Sequence, residues 1–507
     1  MTETATDRET IEVLHRFRNQ TKAAKYLGIS RNSMKKRICR IRKKGLMSET
    51  TTRTSQVKRY VITAAQNNTQ AHPQFLESIH QYCEHFGAKL MVIPVNYENI
   101  TLTSKNGREE KWWAAGLVPH FVTERQTLND NLMLMADVSV NATNKHPLSG
   151  FETVTGKRSG IFGHGQIEMQ MIPTPLSKLP KMLHTTGSVT MPNYSDTKAG
   201  RIAEDNHCIG ALVVETDGSR FWIRQIRADE DGAFYDLNLK FTPSGIEQAE
   251  PALGLVCGDI HWDFICPQVK AATFTASDSI KAVLKPRKLI LHDVLDFYSA
   301  SHHHEKNALL RFHKHHNQKN NVQNELDRLV DGVREITHEE DDVVFVGSNH
   351  NEHFGQWLNR CNPNDDPENA LVYHEVRLEQ LRRAKESREF LDPLEWWFEK
   401  HLTDRRFQFI DHDSGMVVGK YDISNHGHIG ANGSRGSAKQ FTKFGGYYIL
   451  GHSHTPGIYK NVIQVGTSSV LRLEYNDGPS SWLNSHAIIY PNGLASLIHI
   501  IDGRWRA

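Results

Sequence analysis

The chain is poor in the features that mark secreted, membrane-bound and nucleotide-loop proteins. Its 507 residues include only six cysteines, scattered without paired spacing. That excludes a disulfide framework and fits reduced thiols in a cytoplasmic protein. No uninterrupted apolar run approaches the length of a bilayer span, so no membrane partner is expected. Met1 to Asp7 lack the basic and apolar regions of a signal peptide. Gly156-Lys157-Arg158-Ser159-Gly160 lacks the spacing of a phosphate-binding P-loop. Excess charge is also missing. The formal net charge is +2, so any attraction to nucleic acid has to come from local clustering.

Local clustering is what the first segment supplies. Residues 1–47 read as a helix-turn-helix DNA-binding domain. The pattern Ala23-Ala24-x-x-Leu27-Gly28-Ile29-Ser30 places small residues for close helix contact, a glycine at the turn and Ser30 as cap of a third helix. That helix carries Arg31, Lys35, Lys36, Arg37, Arg40, Lys43 and Lys44 with no acid among them, a face suited to the phosphate backbone and predicting DNA as partner. A solvated basic face on a small helical bundle is the plainer alternative. Residues 48–57 are polar and read as a linker.

Residues 58–250 are expected to form a small α/β accessory domain. Tyr60–Ala65 and Lys89–Val95 read as strands around a helix bearing Phe75, Ile79, Tyr82 and Phe86 and ended by Gly87. Leu132–Ala136 and Ile209–Glu215 are expected to extend that sheet, with Phe221–Ile226 pairing back across Asp217-Gly218. No catalytic task is evident here, and the segment is expected to present substrate or to mediate homo-oligomer formation.

From residue 251 onward the 29 histidines begin to fall into a pattern. Short apolar runs end in residues that ligate divalent metals, where open α/β sheets build their sites. Leu253–Val256 leads into Asp259-Ile260-His261. Leu289–Leu291 leads into His292-Asp293-Val294-Leu295-Asp296, and Val343–Val346 into Gly347-Ser348-Asn349-His350. Ile423 precedes Asn425-His426-Gly427-His428, and Tyr447–Leu450 precedes Gly451-His452-Ser453-His454. Six further histidines between His302 and His316 read as an extra metal site, as a solvated segment, or as phosphate contacts through His302 or His303 beside the site.

This order of motifs resembles the calcineurin-like metallophosphoesterases, whose pattern is Asp-x-His, Gly-Asp-x-x-Asp, Gly-Asn-His-acid, a lone His and Gly-His-x-His. The likeness covers Leu253 to about Ile501 and extends to the SbcD-type repair nucleases and to phage-encoded nucleases. It implies a four-layer αββα sandwich over residues 251–507, with strands after His454 forming its second sheet. By resemblance, Asp259, His261 and His454 bind one divalent ion, and Asn349, His426 and His452 a second. Asp293 is shared between them. His428 could take the place of His426. The ions are expected to be Mn, with Fe or Zn as alternatives.

The chemistry so implied is two-metal hydrolysis of DNA phosphodiesters by a bridging hydroxide, with His350 as general acid. The location would be the host cytoplasm if the gene is carried by a phage. Two departures stand out. His292 replaces a glycine, and Asn351-Glu352 follows His350 where an acid is usual, so Glu352 is expected to orient His350. Asp296 is expected to support the ligands from behind. Competing functions are a phosphomonoesterase or cyclic-nucleotide phosphodiesterase using the same ions, and a DNA-binding regulator with a vestigial site.

Overall fold

The computed structural model describes residues 57–101, 110–175, 177–387, 390–473 and 476–507. Near the N-terminus it describes only residues 10, 24, 27–30, 33, 34, 36 and 37. Met1–Val57 and Lys58–Ala507 are two separate compact units. In the first, Gly28 takes a left-handed φ of 65° and the Ser30 hydroxyl accepts the Ser33 amide at 3.1 Å. That is a helix cap after a tight turn. Ala24 and Met34 are buried. Of the basic residues expected to meet DNA, Lys36 is exposed and Arg37 half-buried, both helical. Arg31, Lys35, Arg40, Lys43 and Lys44 lie outside the described residues.

The second unit is a mixed α/β structure built on several sheets. Its central six-stranded sheet has the order 406–410, 342–346, 288–291, 254–256, 485–489, 495–499. The first four strands run parallel, and the last two are antiparallel additions. Both faces are apolar, as a covered parallel sheet requires. Leu255, Leu289, Leu291, Val343 and Phe345 face one way. They pack on Leu326, Leu329 and Val333 of the helix Val322–Ile336 and on Trp357 and Trp397. Val256, Ile290, Val344 and Val346 face the other way, toward Met169, Trp222, Ile458 and Leu497. This alternation follows from the two-residue period of a strand.

A four-stranded sheet has the order 89–95, 58–66, 210–217, 220–227. Its first two strands are parallel around the helix Pro73–Phe86, which ends at Gly87 in the left-handed region. Strands 210–217 and 220–227 form the expected hairpin through Gly218.

Strand 132–134 does not extend this sheet. It belongs to a ten-stranded sheet of order 417–418, 421–422, 448–450, 462–464, 457–459, 168–172, 181–185, 159–162, 132–134, 126–129. Met169 pairs with Ile458 and Glu168 with Tyr459, so segments widely separated in sequence share one sheet. The C-terminal strands also differ from expectation. Those at 485–489 and 495–499 extend the first sheet, where they seal its edge beside 254–256. Residues 470–473 form no strand. The terminal segment docks on the four-stranded sheet: Trp222 Nε1 donates to the Arg504 carbonyl at 2.9 Å, and the Ala507 amide donates to Glu215 at 3.1 Å. Among the described residues no helix is long and apolar enough to cross a membrane.

Candidate metal centre

The site forms where the parallel strands stop. Strand 254–256 ends before Asp259 and His261, strand 288–291 before His292, Asp293 and Asp296, and strand 342–346 before Asn349 and His350. Strand 448–450 of the other large sheet delivers His452 and His454, and the loop after 421–422 delivers His426 and His428. Four of these residues hold left-handed backbone: His261 at φ 46°, Asp293 at 43°, His452 at 75° and His454 at 56°. Such conformations cost of order 1–3 kcal/mol each and concentrate where function requires a side chain to be aimed.

The glycines beside them are close-approach residues. A Cβ on Gly451 would lie 2.3 Å from Asp259 Oδ1 and 3.0 Å from His426 Nδ1.

Asp259, His261, Asp293 and His454 are all buried, with one potential ligand atom from each inside a single 4.8 Å cluster. His454 Nε2 is 3.1 Å from Asp259 Oδ2 and 3.0 Å from His261 Nε2. His261 Nε2 is 3.8 Å from Asp293 Oδ2. Ligands about 2.0–2.2 Å from a shared tetrahedral ion stand roughly 3.3–3.6 Å apart, so these spacings fit a common cation.

The tautomer fits as well. His261 Nδ1 lies 3.0 Å from Asp296 Oδ1, which holds a ring proton there and turns Nε2 toward the other ligand atoms, where a bound cation would take the place of the second proton that the surrounding carboxylates otherwise favour. That carboxylate–imidazole arrangement is the usual support behind a metal-binding histidine.

A second buried group joins Asp259, His292 and His426. His426 Nε2 is 3.1 Å from Asp293 Oδ2, and its Nδ1 is 3.9 Å from Asp259 Oδ1. His452 Nδ1 is 3.0 Å from Asn349 Oδ1, while its amide donates to Asp259 Oδ2 at 2.8 Å. Asp293 is thus within 4 Å of imidazoles from both groups. In the sequence His292 stands out only as a departure from a motif. Here its Nδ1 lies 3.2 Å from His426 Nδ1, and its buried Nε2 has no hydrogen-bond partner. Asp259 Oδ1 and His454 Nδ1 are likewise buried without one.

The electrostatics favour positive charge. Burial opposes protonation of His261, yet its hydrogen bond to Asp296 and the fields of Asp293, Asp296 and Asp259 outweigh it and lift the imidazole to about 9. Burial would raise Asp293, but His426 and His350 hold it well below the usual carboxylate range. Burial, reinforced by His426, pushes His452 down to about 4, leaving a neutral ring at neutral pH.

His350 sits at the rim. Its amide donates to Asp293 Oδ1 at 3.3 Å, its Nδ1 is 3.6 Å from Asp296 Oδ1, and its ring centroid is 4.7 Å from that of His261. A third cluster, His261, Asp296 and His350, reflects this proximity. Glu352 turns away from His350 and faces His428 instead, Oε1 to Nε2 at 3.5 Å.

Residues 10–40 match the Fis family of bacterial regulatory proteins, a helix-turn-helix type. No solved structure matches the chain. Protein A1 of Escherichia phage T5 is 35% identical over 474 residues, an alignment covering 89% of this chain and 83% of that protein. At that identity and coverage, the chain belongs to the family of phage T5 Protein A1.

Proposed function

We propose that the protein is a metal-dependent deoxyribonuclease with the layered αββα architecture of the metallophosphoesterases, acting in the cytoplasm of a phage-infected host. The observation that carries this reading is the buried convergence of Asp259, His261, Asp293 and His454 on one point, with His261 held in the ligating tautomer by Asp296. Asp259, His261 and His454 would hold one divalent ion, Asn349, His426 and His452 a second, and Asp293 would touch both. Mixed nitrogen and oxygen donors suit Mn, with Fe or Zn next. Such a pair of ions supplies charge neutralisation for an anionic phosphoryl group and lowers the pKa of water.

The chain's own contribution is positional. His350 is half-buried, open to solvent on one side and backed by Asp296. A general acid must both carry a proton and reach the leaving group. Hydrolysis adds water across one P–O bond, and the departing alkoxide takes its proton from His350. The Fis-type motif would anchor the substrate through Lys36, Arg37 and their basic neighbours Arg31, Lys35, Arg40, Lys43 and Lys44.

The test is cleavage of linear and circular duplex DNA by purified protein across a Mn titration, beside a chromogenic phosphomonoester. Cleavage abolished by Asp293→Asn and cut about 10²–10⁴-fold by His350→Ala is the expected outcome. Monoester turnover without DNA cleavage would move the protein to the phosphomonoesterases. The match at residues 10–40 also favours a second reading, a DNA-binding regulator; DNA retention without hydrolysis of either substrate would establish it.

A further inference from the structure

The metal centre opens beside a stretch of chain that its chemistry does not use. Residues 428–436 fold into a small hairpin. The Gly436 amide donates to the His428 carbonyl at 2.9 Å and the Gly430 amide to the Ser434 carbonyl at 2.7 Å. Ile429 and Arg435 are bridged across it. Its base is His428, whose ring centroid is 5.4 Å from that of His426 and 6.0 Å from that of His452. Its tip, 431–435, is exposed and carries Arg435.

The short helix Ala438–Phe441 follows and is pinned by Phe441 against Leu450 and Val462, leaving Lys439 exposed. Strand 448–450 runs from this helix to His452. The Tyr448 amide bonds to the carbonyl of Asn461, which is next to Lys460 in the 459–462 turn.

The middle of the chain meets this face. Glu168 pairs with Tyr459, and the Leu148 amide donates to Glu168 Oε2 at 3.3 Å. That bond seats the exposed Lys145-His146 loop beside Lys439 and Lys460. Burial and then the positive fields of Lys439, Lys460 and Lys145 hold the His146 imidazole below its ordinary value, in keeping with that placement. Among the described residues none of Lys145, Arg435, Lys439 or Lys460 has an ion-pair partner. Glu168, the carboxylate beneath them, is buried. The 459–462 turn that bears Lys460 therefore sits about three strand residues, or roughly 10 Å, from the start of the Gly451–His454 segment. Cations from separate elements, unpaired and leading to a phosphoryl-type site, are what a polyanionic backbone requires.

We infer that the face bearing Lys145, Arg435, Lys439 and Lys460 is a track for the DNA phosphate backbone, guiding it into the metal centre. This rests on the deoxyribonuclease reading for its destination, though not for its binding. It also gives the 58–250 segment a task, since Lys145 comes from it.

The test uses the full chain carrying Asp293→Asn, so that bound DNA is not cut, and a labelled duplex oligonucleotide. Lys145→Gln, Lys439→Gln and Lys460→Gln are combined. Affinity should fall about tenfold or more irrespective of sequence, and the slope of log affinity against log salt should flatten by about 2–3. The corresponding triple Arg variant should keep both. In the otherwise native chain, the Gln triple should hydrolyse a small activated phosphodiester with Mn at the unmodified rate.

Unchanged affinity and slope would overturn the track, as would binding of anionic lipid vesicles with none of duplex. A native chain that hydrolyses neither DNA nor the small diester would remove the nuclease reading, while the binding arm still decides the track. The substituted side chains lie at the surface, and circular dichroism of each variant verifies the fold. Arg435→Gln, on a separate hairpin, gives an independent variant with the same expected direction.

Discussion

Individual side chains decide whether this centre can work. Removing the carboxylate behind His261 by Asp296→Ala should weaken Mn affinity about 10–100-fold, because the ring would lose the partner that fixes its proton. Isothermal titration with Mn would read this; an unchanged affinity would mean that Asp296 plays no orienting part. A different buried carboxylate governs acid stability. Glu215 is nine-tenths hidden and flanked by Arg224 at 3.2 Å and Arg59 at 3.0 Å. Burial would raise its pKa, but Arg224 and the hydrogen bonds it accepts win and bring it to about 2.

A depressed folded-state value means stability that is whole above the ordinary glutamate pKa and lost as pH falls toward 2. The stake is roughly 3 kcal/mol. Glu215→Gln should lower neutral-pH melting and flatten the decline between about pH 4.5 and 2, measured by thermal scans across that window. An equally steep decline in the variant would assign the acid sensitivity elsewhere. Asp259, His261, Asp293 and His454 are legible in the sequence because ligand-type residues just past apolar runs announce strand ends. His292 is not: a histidine in place of a glycine carries no spacing signal. The trio of Arg224, Glu215 and Asp236, in which Arg224 Nε also donates to Asp236 Oδ1 at 2.6 Å, is equally invisible there, since its members come from three different strands.

Among the elements, the helix Val322–Ile336 is shaped around one absence. A Cβ on Gly332 would fall 1.8 Å from Trp262 Cε2, so the indole beside His261 lies directly on helix backbone. Gly332→Ala should destabilise by about 1–3 kcal/mol through overpacking and weaken Mn binding by displacing the His261 turn; paired melting and titration curves would check both. At the other end, Lys36→Ala with Arg37→Ala should reduce the salt slope of DNA binding by about one unit for each phosphate no longer neutralised. A slope identical to that of the unaltered chain would leave that helix without a role on DNA.

Element type is easier to read than element partnership. Apolar alternation and caps reveal the strands at 58–66 and 89–95 and the helix between them. The same short apolar runs do not encode which sheet they join. Leu132–Leu134 and the strands at 485–489 and 495–499 therefore have neighbours other than those expected. Val470-Leu471-Arg472-Leu473, apolar at three of its four positions, forms no strand.

Taken as one body, Lys58–Ala507 resists dissection. Strand 457–459 has strand 168–172 on one side, and Met169, Trp222 and Ile458 share a core with Val256 and Val344. A fragment spanning 251–507 should therefore be insoluble or molten when expressed alone, with an open sheet edge and a bare apolar face. Size-exclusion and near-ultraviolet circular dichroism would test this, and a monodisperse fragment that binds Mn would refute it. The fragment spanning 58–507 should stay folded.

His261 and His454 stand 193 positions apart along the chain yet touch. On the deoxyribonuclease reading, a nascent polypeptide that lacks His454 would offer a cation an incomplete set of ligands. Such a centre would be assembled only after the strand that delivers His454 has been made.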